Sequence, residues 1–317
     1  GALAGGFVLL PSVGVSHATS MAACASASAA AAALWLARGA GDPDPMTTGP
    51  LPDAGRSRTR SRSHATAAPA ARPAVAGGLA LASIVLVISG FASLTFEIAW
   101  VRLLSLLTGP TTYAFASALV TVIAGSALGA AAGAWLAGRT DRPALWLSIS
   151  LVVASGATSW STLVVGRDVP VWLMEAAPRA TSFPGGGVAL TTILVALLMV
   201  PAALALGAGF SLALELVGGG PGATRRVAIA YGVNTIAALG GSLAAGFVLV
   251  PALSLHPTLR LVSGLLLLAA LVPLAVRSGI SLRWRAMLAG AVVLPSVPAL
   301  RPAPWDRSLL ASGLYKY

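Results

Sequence analysis

Chemistry in this chain has to start from a few polar side chains set in apolar sequence. The sharpest group is Glu97, Trp100 and Arg102 in the string FEIAWVR. A carboxylate inside a bilayer is costly, so one found there is read first as a handler of a proton, an ion or a cationic substrate. Counted from Gly78, Glu97 lies roughly 29 Å along its helix at 1.5 Å per residue. That places it at the outer interface and leaves two readings, an anchoring belt of Glu, Trp and Arg or a functional carboxylate. The spacing of five between Glu97 and Arg102 suits a helical ion pair poorly, because three or four is preferred. A second group is Tyr231 and Asn234 in AYGVNTIAAL. With a helix starting near 228, Asn234 sits roughly 9 Å in, either as an interhelical hydrogen bonder or as a substrate contact. Glu215 reads as a loop-facing ion-pair partner of Arg225 and Arg226. Glu97 and Arg102 are outer while Asn234 and Glu215 are inner, so no compact catalytic site is expected.

The remaining inventory excludes most soluble-enzyme chemistry. The single cysteine, Cys24, excludes an intramolecular disulfide, a cysteine-based zinc site and an iron–sulfur cluster. His17, His64 and His256 are scattered and make no metal site of their own. Gly185–Gly187 and Gly218–Gly220 follow no buried strand, so they are loop glycines and not nucleotide-binding turns. No Ser–His–Asp arrangement stands out. The sequence therefore predicts no catalytic residue, no metal and no cofactor in this stretch of chain.

Composition says what must position these residues. Of 317 residues, 57% are hydrophobic and only 9% charged, and the mean hydropathy is +0.87. Soluble domains carry about 25% charged residues. The apolar residues run in stretches of roughly 18 or more, long enough to cross a bilayer. The net charge of +11 would suggest nucleic acid in a soluble chain. Here the arginines fall in every second loop: the 56–72 linker, Arg139 and Arg142, Arg225 and Arg226, then Arg277, Arg283 and Arg285. The loop 166–186 balances Arg167 and Arg179 against Asp168 and Glu175, and Arg260 is the one exception. That alternation is the positive-inside pattern and puts the linker in the cytoplasm. The expected protein is an all-α, multi-pass protein of the cell membrane (inner or plasma), whose partner is lipid and not nucleic acid.

Helices are expected at about 78–107, 113–137, 144–165, 187–217, 228–250 and 258–276, making one six-helix unit over 77–277. Pro201 interrupts the fourth and is expected to kink it. Gly125, Gly129 and Gly133, and Gly241 with Gly246, offer small faces for close packing. Residues 1–15 and 20–37 are two apolar stretches, the second alanine-rich. Residues 39–76, rich in Pro, Gly, Ser and Arg, cannot bury enough surface to order and read as a disordered linker. The RSRTRSRS run within them reads as positive-inside charge rather than as a lipid or RNA site. Residues 278–304 hold a short apolar segment, 286–300, broken by Pro295 and Pro298. If it crosses, the C-terminus is outside; if not, inside. An internal repeat is also visible. Shifted by 240, Gly1–Pro11 lies on Gly241–Pro251 without gaps, matching Gly6/Gly246, Phe7/Phe247, Val8/Val248, Leu9/Leu249 and Pro11/Pro251. Both copies run the same way, a parallel repeat. Residues 1–38 are then expected to be the last two helices of an upstream unit, and the chain a fragment.

Several segments together resemble one family. They are SGFASLTFEIAWVRLLSLLTGPTTYAF (89–115), GSALGAAAGAWLAGRTDR (125–142), YGVNTIAALGGSLAAGFVLVPALSL (231–255) and WDRSLLASGLYKY (305–317). The family is the bacterial fused spermidine-synthase-like membrane proteins, in which a major-facilitator-like membrane region precedes a polyamine aminopropyltransferase domain. The resemblance carries the family's Glu, Trp and Arg onto Glu97, Trp100 and Arg102. Its Tyr-Ala-Phe falls on Tyr113–Phe115, and its Tyr and Asn-Thr on Tyr231, Asn234 and Thr235. Phe96 stands where Tyr is usual, Gly232 where Ala is usual, Ala237 where Gly is usual, and Ser211 where Pro is common. The resemblance implies that residues 305–317 open the synthase domain, whose catalytic turn lies downstream. The whole protein would transfer an aminopropyl group from decarboxylated S-adenosylmethionine to a diamine, with the membrane unit anchoring the synthase and moving its amine. A stand-alone transporter half and a plain anchor are the alternatives.

Overall fold

The computed structural model describes residues 10–39, 78–109, 111–180, 182, 185–277, 290 and 305. The chain divides into two compact units, one over 8–71 and one over 72–317 together with 1–7. Residues 1–9, nearly all of the expected linker (40–76), and most of 278–317 lie outside the described residues.

The smaller unit is described through α1 (Leu10–Gly39). Two apolar stretches are expected here, and within the described residues a kink at Gly14 separates the end of the first from the helix that carries the second. The kink is made by Gly14, at φ 77 and ψ 169. That conformation is essentially reserved for glycine. Beyond it, the hydroxyls of Ser20, Ser26 and Ser28 donate to carbonyls one turn back, which spends the polarity of this alanine-rich helix on itself.

The larger unit runs α2 (Gly78–Thr108), α3 (Thr112–Ala137), α4 (Pro143–Arg167), α5 (Val169–Ala180), α6 (Gly186–Glu215), α7 (Ala223–Ala244), a π turn (Ala245–Leu249), α8 (Val250–Leu253) and α9 (Leu255–Arg277). Among the described residues six spans are long and apolar enough to cross a bilayer: α2, α3, α4, α6, α7 continued through α8, and α9. The protein is an all-α, multi-pass membrane protein in contact with a lipid bilayer. Large apolar side chains accordingly face outward, among them Ile123, Ile193, Leu197, Ile236 and Phe247. Pro201 lies within α6, on its exposed side.

The 166–186 segment is not simply a polar break. It contains α5, too short at about 18 Å to cross. Val169 and Leu173 are buried while Trp172 and Glu175 face out. Its charges mask an apolar stripe too narrow to register in overall hydropathy.

Membrane helices gain little from apolar burial against one another, so close approach and interhelical hydrogen bonds hold them together. Glycine supplies the approach. A Cβ added at Gly129 would sit 1.9 Å from Leu204 O, at Gly133 2.5 Å from Ala208 O, and at Gly241 2.2 Å from Phe91 O. Hydroxyls supply the bonds. Ser155 and Ser159 of α4 meet the Ser263 hydroxyl of α9 at 2.9 and 2.6 Å, and Ser211 of α6 donates to Ala130 O of α3 at 3.0 Å.

These contacts expose a symmetry the sequence does not. α2 packs on α7 and α9; α6 packs on α3 and α4; α4 packs on α9. Exchanging α2 with α6, α3 with α7 and α4 with α9 leaves the pairing unchanged. The registers agree as well. Gly90 meets Asn234 as Gly207 meets Ser126, and Gly241 meets Phe91 as Gly133 meets Ala208. Gly207 and Ala208 each follow Gly90 and Phe91 by 117 positions; Asn234 and Gly241 each follow Ser126 and Gly133 by 108. With six crossings in succession, the first and fourth run in opposite senses. The larger unit is therefore two three-helix halves of inverted topology.

Candidate functional site on helices α2 and α7

α2 and α7 are parallel neighbours. Gly90 brings their backbones together, because a Cβ there would lie 2.5 Å from Asn234 Oδ1. One turn on, Thr95 Oγ1 lies 2.8 Å from Phe91 O of its own helix and 3.1 Å from Gly241 O of α7. Further along, Arg102 Nη2 donates to Gly246 O at 3.0 Å. Gly246 lies in the π turn, where the helical ladder is displaced. A carbonyl left without a partner in hydrocarbon is costly, and the guanidinium supplies the donor. Arg102 thus serves the backbone of the neighbouring helix.

The depths differ from those read off the sequence. α7 begins at Ala223, five residues before the expected start, because Arg225 and Arg226 belong to its first turn. Arg226 reaches back to the carbonyls of Val217 (3.1 Å), Pro221 (2.7 Å) and Gly219. Asn234 is therefore about 16 Å along its helix, not 9. Glu97 is likewise about 16 Å from the end of α2 at Thr108. With about 30 Å of hydrocarbon centred on either helix, both side chains fall inside the apolar slab. Since Asn234 is level with Gly90, Asn234 and Glu97 are about 10 Å apart along the axis. Gly90 and Glu97, seven residues apart, lie on one face of α2. Glu97 and Asn234 thus stand on one helix pair inside the slab, Asn234 still nearer the start of α2 and α7 and Glu97 further along, while Glu215 ends α6.

Glu97 is half-buried, and among the described residues nothing bonds its carboxylate. Trp100 is fully buried, tilted against Phe96 at 5.9 Å, and its indole Nε1 has no partner among the described residues. An anchoring belt requires an indole at the lipid–water boundary, so the belt reading fails for Trp100. Tyr231 is exposed and stands edge-on to Phe210 of α6 at 6.0 Å. Asn234 is half-buried. Thr235 is exposed and donates to Tyr231 O at 2.9 Å, and Tyr113 is exposed at the start of α3. Asn234 and Glu97 thus belong to the α2–α7 pair, with Tyr231 one turn off beside Phe210 of α6, while Tyr113 is on α3. Sequence reasoning missed the role of Arg102, because no local signal marks a π turn 144 residues away.

No group of three or more His, Cys, Asp or Glu that could hold a metal occurs among the described residues. The pair sets a carboxylate about 10 Å along the axis from an amide, with a phenol one turn beyond the amide, in a low-dielectric slab. That set suits a small cationic or hydrogen-bonding solute. No family model matches the chain, and no curated protein or solved structure matches it.

Proposed function

We propose that this chain is the membrane module of a spermidine-synthase-like fusion of the cell membrane, and that its α2–α7 pair handles the amine. One observation supports this above the rest: two of the strings that carry the resemblance interlock. Gly90, Phe91, Thr95 and Arg102 from SGFASLTFEIAWVR meet Asn234, Gly241 and Gly246 from YGVNTIAALGGSLAAGF. Residues about 145 positions apart in sequence thus belong to one feature. Glu97, on the same face as Gly90, is the carboxylate that would pair with a protonated amine. By the resemblance, the aminopropyl transfer itself belongs to residues downstream of Trp305.

A transporter half is the second reading, and the inverted three-helix halves favour it, since substrate sites in such folds lie between the repeats. Uptake of labelled putrescine or spermidine into proteoliposomes tests both. Uptake lost in Glu97→Gln or Asn234→Ala supports amine handling at this pair. Uptake indifferent to both substitutions, or absent from the wild-type protein, reduces the unit to an anchor.

A further inference from the structure

Arg102 is an exposed arginine at the edge of the apolar slab. α2 has 31 residues and is centred on Ser93. Arg102 is nine residues further, about 14 Å from that centre, against about 15 Å to the hydrocarbon boundary. The helix that carries its partner gives the same depth. The span Ala223–Leu253 is centred on Ala238, and Gly246 lies eight residues or about 12 Å beyond it. Both counts put the guanidinium where the headgroup layer begins.

A long basic side chain at this depth ordinarily carries its charge out to water. Arg102 is held back, because Nη2 donates to Gly246 O at 3.0 Å. That bond uses one of five N–H donors, and no carboxylate among the described residues pairs with the guanidinium. The pairing of the two halves does not call for a cation here either, since the counterpart 117 positions on is Gly219. Beside the arginine runs an apolar stripe. Phe247, next to Gly246, is 78% exposed, and Leu243 and Leu239 follow it at four-residue spacing, also exposed. Residues so spaced share a helix face, so the stripe leads from the slab boundary to the middle of α7.

We propose that Arg102 binds the phosphodiester of an anionic phospholipid at the seam between α2 and the π turn, and that the acyl chain of that lipid covers the stripe Phe247–Leu243–Leu239. One molecule then satisfies both features. The guanidinium fork matches phosphate oxygens in bidentate fashion, and the stripe requires an apolar cover that starts at the same depth. The bond to Gly246 keeps the fork from turning away, so the anion comes to the arginine. This site stands apart from the amine reading and survives if that reading fails.

The full chain in mixed phosphatidylglycerol and phosphatidylcholine micelles tests it, with retained lipid counted by native mass spectrometry. Phosphatidylglycerol is expected to be retained severalfold over phosphatidylcholine, and Arg102→Met to erase that preference. Leu106→Glu keeps the test open should Arg102→Met fail to fold. Leu106 is exposed one turn beyond Arg102, so a carboxylate there pairs with the guanidinium while the Gly246 bond remains, and the preference is again expected to vanish. Arg139→Met, which removes an exposed arginine beyond the far end of α3, is expected to keep it. Equal retention of the two lipids by the wild-type protein, or a preference that survives both Arg102→Met and Leu106→Glu, overturns the proposal. So does displacement of the retained phosphatidylglycerol by inorganic phosphate, which would make this a site for a free anion.

Discussion

Ser254 joins α8 to α9 with φ 71 and ψ 175, and replacing it tests how this unit bears strain. That region of backbone space is essentially confined to glycine and costs of order 1–3 kcal/mol for other residues. The Ser254 side chain is exposed, so losing it forfeits little packing. The bonds at this turn are all to its backbone. Its N–H donates to Val250 O at 3.0 Å, and its carbonyl accepts from Thr258 N at 3.3 Å and Thr258 Oγ1 at 2.7 Å. Glycine keeps all three. Against the relief stands the greater freedom of glycine in the unfolded chain, roughly 0.5–1 kcal/mol. Ser254→Gly should therefore stabilise by about 0.5–2 kcal/mol. For a unit of this size that is about 2–4 °C in Tm per kcal/mol. The assay is thermal loss of helicity in mild detergent, with Ser254→Ala as the control that keeps the strain. If Ser254→Gly melts no higher than Ser254→Ala, the strain argument is refuted. Position 14, 240 residues earlier, already holds glycine in nearly the same conformation, φ 77 and ψ 169.

Two further predictions concern packing. Gly129→Ala should destabilise by about 1–3 kcal/mol, because its methyl collides with the Leu204 backbone and not with a side chain that could turn away; Gly232→Ala, with nothing within 4 Å, should be close to neutral, and equal melting of the two would contradict the close approach of α3 and α6. Arg102→Met should cost about 1–3 kcal/mol by leaving the Gly246 carbonyl unpaired, checked by the same melt and by faster amide exchange across Ala245–Leu249.

The six spans were legible because hydropathy responds to length, and their limits fall within a few residues of the sequence reading. What hydropathy cannot report is which side of a helix meets protein and which meets lipid, as both are apolar. Hence Trp100, expected at an interface, is in the core. Hence also Asn234 lies deeper than counted, since Arg225 and Arg226 read as loop although their turn is helical. The glycines of α3 were legible as a stripe, but their partners on α6 and the inverted pairing were not. Those emerge only when residues far apart in sequence are placed together.

The inverted halves are also interlocked. The close approaches at Gly90 and Gly241 tie α2 to α7, and those at Gly129, Gly133 and Gly207 tie α3 to α6, so each tie joins a helix of one half to a helix of the other. Neither half can part from its counterpart without prising open backbone contacts that no flexible side chain can cushion, so any relative motion of the halves has to slide along these seams rather than open them.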